Sequence, residues 1–193
     1  MKERRALWRL EMAGIDPAKL VFIDECGATT QLTRTRGRCP IGRRLIAPIP
    51  HGHWKVLTTI GALSLRGMVA AVTVDAPTDA EIFRRFITDA LVPALRQGQI
   101  VVMDNLQSHK AAGVREAIEA AGARVLYLPP YSPDLNPIEP AWSKIKHYLR
   151  SIAARTVDGL GAAVGDAIQL INAADAKGFF GHCGYATSRR KTI

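Results

Sequence analysis

The chain has 193 residues, 48% of them apolar, with 26 Lys and Arg against 17 Asp and Glu and a formal net charge of +9. That is the size and composition of one globular domain, able to bury a sizeable core without a disulfide or metal staple. No apolar run reaches the roughly 18 to 20 residues of a membrane span, and MKERRALWRLEMAG has charges where a secretory h-region would be, so neither insertion nor secretion is expected.

In chain order, residues 2 to 13 read as a short amphipathic helix ended by Gly14 and Asp16-Pro17. LVFID at 20 to 24 is a buried strand closing on an acid. Thr29 to Gly52, rich in Thr, Arg, Gly and Pro, reads as short strands or a long loop that projects from the core. Residues 55 to 65 and 68 to 75 form a hairpin of apolar strands around Arg66-Gly67. Thr78 to Leu95 is a helix with Thr78 as N-cap and Glu81 completing a capping box. IVVMD at 100 to 104 is a second buried strand ending in an acid. Ser108 to Ala121 is a helix stopped by Gly122, RVLYL at 124 to 128 another strand, and PPYSPDLNP a turn region. A helix runs from Asn136 or Pro137 to about Ala154, and a last one from about Val157 to Ala173. The economical fold for this order is an α/β mixed sheet flanked by helices, because strands this apolar need cover on both faces.

Charge is placed unevenly. From Cys26 to Val74 there is no acid, against seven bases: Arg34, Arg36, Arg38, Arg43, Arg44, Lys55 and Arg66. A second cluster, Lys144, Lys146, Arg150 and Arg155, follows Glu139, and Arg189, Arg190 and Lys191 close the chain. A polyanion is the matching partner, since each phosphate neutralised releases counterions; a solvated basic face is the bland alternative. The three cysteines, Cys26, Cys39 and Cys183, are odd in number and in no CxxC spacing, which suggests neither a disulfide framework nor a zinc site and fits a reducing, cytoplasmic setting.

Two strands end in Asp24 and Asp104, and a helix begins at Glu139. In open α/β sheets sites form beyond the carboxyl ends of strands, so the two aspartates can share one edge while Glu139 reaches in from a covering helix. Three converging carboxylates repel unless a cation neutralises them, and an all-oxygen set suits Mg²⁺ or Mn²⁺. Two such ions can serve an in-line displacement at phosphorus. Each acid also has a structural reading: a strand-end Asp is often a turn or cap residue, and Asn136-Pro137-Ile138-Glu139 reads as a capping-box variant.

FIDE at 22 to 25, VMDN at 102 to 105 and PPYSPDLNPIE at 129 to 139 resemble the catalytic core of DDE transposases of the mariner-like superfamily, in its bacterial insertion-sequence branch; 34 residues separate Asp104 from Glu139, as in that group. The resemblance runs from about Arg4 to Tyr185. It implies an RNase H-like fold with a basic loop inserted after the first strand, two divalent metal ions (Mg²⁺ or Mn²⁺), cleavage of DNA at element ends and transfer of the freed 3′-hydroxyl to target DNA. By the same resemblance Asp24, Asp104 and Glu139 are catalytic metal ligands, and Asn105, His109 and Asn136 line the site. Tyr131, Ser132 and Pro133 shape the loop before the catalytic helix. For His109 the alternatives are core packing and helix capping. Arg34, Arg36, Arg38, Arg43, Arg44, Lys144, Lys146 and Arg150 are the expected DNA contacts, and Trp142 is expected in the core. Glu25 should point to the opposite face of its strand from Asp24 and is not expected as a ligand. The insertion stands where similar transposases carry a loop that clamps a second subunit, so a homodimer on DNA is expected.

The implied division is a linker helix over 1–19, the catalytic domain over 20–185 with its insertion at 29–52, and a basic tail over 186–193. Similar transposases carry an N-terminal helix-turn-helix region; here only a short helix precedes the first strand, so a separate helix-turn-helix chain is an expected partner. Cys26 and Pro140 depart from the residues expected beside two of the acids. The expected location is the bacterial cytoplasm, at the nucleoid. Rival readings are a non-catalytic DNA-binding or assembly subunit, a degenerate transposase fragment, and another RNase H-like nuclease.

Overall fold

In the computed structural model, which describes residues 2–185, five strands form one mixed sheet in the order β3-β2-β1-β4-β5. β1 (Leu20–Thr29), β2 (Val56–Ser64) and β3 (Gly67–Val74) pair antiparallel, while β4 (Ile100–Met103) and β5 (Arg124–Tyr127) continue the sheet in parallel beyond β1. The parallel part uses apolar runs buried throughout: every residue from Leu20 to Ile23 and from Ile100 to Met103 is buried, as strands covered on both faces require.

Helices α1 (Lys2–Ala13), α4 (Ile138–Ile152), α5 (Val157–Gln169) and α6 (Ala173–His182) supply the core on one face, with Leu20, Phe22, Cys26 and Ala28 of β1. Helices α2 (Ala80–Arg85) and α3 (Val114–Ala120) cover the other face, against Val21 and Ile23. The alternation is the two-residue period of a strand, and it assigns every later β1 residue to a face. α4 is held by Ile138, Ala141, Trp142, Ile145 and Leu149, an i, i+3, i+4, i+7 stripe, so Trp142 is core as expected.

Several boundaries differ from the sequence reading. β1 runs five residues past Asp24, because antiparallel pairing with β2 continues to Thr29↔Val56 after the parallel pairing with β4 has stopped at Phe22↔Val102. Asp24 therefore lies inside a strand, although at the end of the parallel ladder. The N-cap of α2 is Asp79, whose Oδ1 accepts from Ile82 N at 2.8 Å, and Glu81 pairs with Arg84 and Arg85 in place of a capping box on Thr78. That helix then widens into a π turn over Phe86–Leu91 and tightens over Val92–Ala94, where Pro93 has no N–H to continue the ladder. The expected helix from Ser108 is a 3₁₀ turn, Ser108–Lys110, separated from α3 by Gly113 at φ 88°, a conformation only glycine adopts cheaply. The last expected helix ends at Gln169 as α5, and a further helix that the sequence reading did not expect, α6, starts at Asn172, which accepts from Ala174 N and Asp175 N. Between β1 and β2 the chain has no strand; it is exposed from Arg34 to Ile49, and Arg155 anchors its base through the carbonyls of Thr30 and Leu32. The expected basic tail, 186–193, lies outside the described residues.

One glycine sets how deeply α4 sits. Gly61 of β2 pairs with Asp24, and a Cβ there would come 2.6 Å from the Trp142 ring and 2.5 Å from Met68 Cε. The Met68 end can swing away, whereas the indole is locked in the core. Gly61→Val should therefore destabilise the fold by about 1–3 kcal/mol through overpacking, measured as a lowered midpoint in chemical denaturation; an unchanged midpoint would show that α4 does not rest on this contact.

Candidate functional site

Register brings the acids together. β1 and β4 pair in parallel as Leu20↔Ile100, Val21↔Val101 and Phe22↔Val102, so continuing the two chains by two residues each sets Asp104 beside Asp24. Both lie on even positions, the face that carries α4. α4 begins at Ile138, fixed by that fully buried side chain, and places Glu139 in its first turn above the same edge. Asp24 is half-buried, Asp104 keeps 42% of its side chain exposed, and Glu139 is exposed, so the acids stand at a rim with access to solvent.

The bonds around Asp24 explain why Asn136 is not a helix cap. Asn136 is buried, and its Nδ2 donates to Asp24 Oδ2 at 3.1 Å while Glu25 N donates to Asp24 Oδ1 at 2.8 Å. No side chain caps α4, and Glu139 enters only through its backbone N–H, which donates to the Asn136 carbonyl. The capping reading of Glu139 therefore fails, and the carboxylate is left free to face the site. Asn136 Oδ1 is buried without a hydrogen-bond partner, a cost the fold bears to direct the amide N–H at Asp24.

Electrostatics follow from burial and crowding. Burial above all pushes the Asp24 carboxyl up, the Glu25 N–H pulls it down, and the charges of Glu139, Glu25 and Asp104 push it up again, to about 7. Asp104 moves the other way: burial would raise it, but His109 and the Leu106 N–H, which donates to Oδ1 at 2.9 Å, hold it below the usual carboxylate range. The donor set is oxygen-only and short of positive charge, which fits a hard divalent cation. Among the described residues the side chains as they stand do not close into a group of three metal donors.

His109 is fully buried and joins two acids. Its Nε2 lies 3.0 Å from Glu25 Oε1, and its Nδ1 lies 2.7 Å from Asp104 Oδ1 but at an angle that leaves no linear hydrogen bond. Burial pulls the imidazole down, and the two carboxylates overcome it, raising it to about 9. Asn105, expected to line the site, turns away: its Nδ2 donates to the Leu128 carbonyl at 2.6 Å and ties the end of β4 to the loop after β5.

The sequence reading missed Glu25 as a partner. Alternation correctly sends it to the face opposite Asp24, and nothing in the sequence signals that the chain after Asp104 folds back to meet it. It also missed a clamp on the loop before α4. Arg5 of α1 donates two parallel hydrogen bonds to the two oxygens of the Asp134 carboxylate and a further one to Ser132 Oγ, while Trp8 Nε1 donates to Tyr185 OH, which donates to the Leu135 carbonyl. Tyr131, in that loop, is 87% exposed at φ 52°.

Of the expected DNA contacts, Arg34, Arg36, Arg38, Arg43 and Arg44 are all exposed on the insertion, and among the described residues none makes an ion pair. Lys144 is instead engaged with Asp175 at 2.6 Å and the Leu170 carbonyl. Lys146 faces β1, where burial raises the Cys26 thiol above its ordinary value and Lys146 offsets part of that rise. Arg150 is half-exposed near the end of α4.

Among the described residues no helix is long and apolar enough to cross a membrane. Comparison with curated proteins finds no match. Among solved structures the fold is similar to a pre-cleavage Mos1 transpososome (TM-score 0.78, 17% identity, 95% of this chain and 59% of that one). It is also similar to a Mos1 transposase paired-end complex with left transposon end (TM-score 0.74, 16% identity, 93% and 57%). A third is the catalytic domain of Mos1 mariner transposase (TM-score 0.71, 16% identity, 94% and 86%). The chain thus spans less than three-fifths of the two larger Mos1 chains, 57% and 59%. The family model described as DDE superfamily endonuclease matches residues 19–160, from just before β1 into the first turn of α5, and the chain belongs to that family.

Proposed function

We propose that this chain is the catalytic domain of a transposase, which cleaves DNA at element ends with divalent metal and transfers the freed 3′-hydroxyl to target DNA. The observation that carries the reading is the convergence of Asp24, Asp104 and Glu139 on one sheet edge, fixed by the β1–β4 register and the start of α4. In it residues 1–19 are a linker helix, 20–185 the catalytic domain and 29–52 an insertion that meets DNA and a second copy of the chain. Recognition of terminal repeats falls to a helix-turn-helix partner, and the setting is the bacterial cytoplasm at the nucleoid.

Asp24, Asp104 and Glu139 are the residues to hold two Mg²⁺ or Mn²⁺ ions; Mos1 paired-end complexes have been solved with each metal. Ions bound there would activate the attacking oxygen and stabilise the leaving one in an in-line displacement. The chain's own residues prepare the site. Asn136 fixes Asp24 by its Oδ2, Leu106 N fixes Asp104 by its Oδ1, and the insertion arginines neutralise phosphates along the backbone. The rival reading, a non-catalytic DNA-binding subunit, draws support from one fact: no three of these side chains close on a common point as they stand.

Nicking of supercoiled plasmid with Mn²⁺ separates the two. Asp24→Asn, Asp104→Asn and Glu139→Gln should each abolish it and keep the fold; retained nicking in any one removes that residue from the site, and no nicking by the parent chain favours the rival. Asp24→Asn should also raise the melting temperature of the metal-free protein at pH 8, because ionising a carboxyl whose folded pKa is about 7 costs stability as pH rises past its ordinary value.

The same shift gives metal binding a pH dependence. Below about 7 Asp24 holds a proton that a cation must displace, so Mn²⁺ affinity should fall as pH is lowered from 8 to 6, with proton release seen by calorimetry in two buffers of different ionisation enthalpy. Binding that is flat with pH would take Asp24 out of the ligand set.

DNA affinity should be largely sequence-independent and steep in salt, each phosphate contact adding about 0.9 to the slope of log K against log salt. Replacing Arg34, Arg36, Arg38, Arg43 and Arg44 by Ala should flatten that slope in fluorescence anisotropy; an unchanged slope would place the DNA elsewhere.

A further inference from the structure

Glu25 and His109 lie on the side of the sheet away from α4, yet they reach the acid at the end of β4. After Met103 the chain passes Asp104, bends so that Leu106 N donates to Asp104 Oδ1 at 2.9 Å, and returns in the 3₁₀ turn Ser108–Lys110. The turn buries the His109 ring completely and stacks it on Phe83 of α2, with centroids 4.2 Å apart and planes 28° from parallel. Phe83 fixes the plane of the ring. Glu25 fixes its rotation within that plane, because Nε2 lies 3.0 Å from Oε1 and 3.2 Å from Oε2. The remaining ring nitrogen then has one place to be, 2.7 Å from Asp104 Oδ1.

We propose that Glu25 and His109 are positioning residues, a buried brace that fixes the Asp104 carboxylate so that Oδ1 is held from within the fold and Oδ2 is presented to a divalent ion. This rests on the reading of Asp104 as a metal ligand. Two features separate the brace from ordinary core packing. A fully buried imidazole is held by a largely buried carboxylate at a position where an apolar pair would fill the space without desolvating charge. Both of Asp104's protein contacts also fall on the same oxygen. Partners of this kind around metal ligands typically cost 10–100-fold in metal affinity when removed.

The test is Mn²⁺ affinity by calorimetry at one fixed pH, with folding followed by circular dichroism, for the parent chain, Asp104→Asn, Glu25→Ala, Glu25→Gln and His109→Phe. The expected result is that Asp104→Asn loses binding, that Glu25→Ala weakens it about 10–100-fold in a folded protein, and that Glu25→Gln, which keeps an acceptor oxygen, restores most of it. His109→Phe keeps a ring on Phe83 while removing both nitrogens. It should weaken binding as Glu25→Ala does, and it decides the matter if Glu25→Ala does not fold. Parent-like affinity in folded Glu25→Ala or His109→Phe, with Asp104→Asn inactive, overturns the brace and leaves the metal site standing. Parent-like affinity in Asp104→Asn overturns both.

Discussion

Bringing two carboxylates side by side on parallel strands and a third above them is unfavourable in the absence of a counter-charge, and much of this molecule is arranged around that fact. The repulsion cannot be relieved by separation, because β1 and β4 run side by side through the core and their register is fixed by Leu20, Phe22, Ile100 and Val102 on one face and Val21, Ile23, Val101 and Met103 on the other. A slip of one residue would turn all these side chains to the wrong face. The hydrophobic core thus holds the acids close together, and Asp24 is pushed up to about 7, by burial first and then by the charges of Glu139, Glu25 and Asp104. What the core imposes, a cation bound there would relieve.

The supporting contacts divide the task. Each aspartate is held by backbone or amide N–H donors on defined oxygens: Asp24 by Glu25 N and Asn136 Nδ2, Asp104 by Leu106 N. Glu139 has no such support and depends on its helix. α4 in turn depends on Trp142 fitting over Gly61, and its entry loop is clamped by Arg5 on one side and Tyr185 on the other. The first helix and the last described residue, far apart in sequence, therefore meet on the segment that delivers Glu139. A fold that left this loop to its own proline-rich geometry would leave the third acid free to drift.

The apolar runs made the sheet legible, since each of the five strands lies in a run of Val, Ile, Leu, Ala or Thr with turn residues at its ends, and the acids were visible because they interrupt or end those runs. Boundaries set by a single side chain were not. Asp79 takes the cap from Thr78 because it stands one residue nearer the helix, and Asn172 restarts a helix inside a stretch, QLINAADAK, with no glycine or proline to mark a break. Asn136 shows the limit more sharply. Its sequence context is that of a good N-cap, and tertiary structure redirects the amide to a carboxylate 112 positions earlier in the chain. Local propensity could not reveal this, because the competing partner is not local. Glu25 and His109 were hidden for the same reason, joined across 84 positions.

Charge is sorted in space as it is in sequence. The acids sit at the rim of a core whose cations are few: Lys146 faces β1, and His109 is buried between carboxylates. The bases of the insertion are exposed, without acidic partners among the described residues, on a segment with no strand or helix to fix them, anchored at its root by Arg155. A rigid anionic rim and an exposed cationic loop are complementary requirements of the proposed function, in which small cations would be held in a defined geometry and a long polyanion in a variable one. Metal coordination tolerates errors of a fraction of an ångström, so its ligands belong on strands and a packed helix. Phosphate attraction falls off over a Debye length of about 8–10 Å at ordinary salt, so its residues can be carried on a loop. The division of the sequence into an acid-free stretch and strands that carry the acids follows from that difference in range.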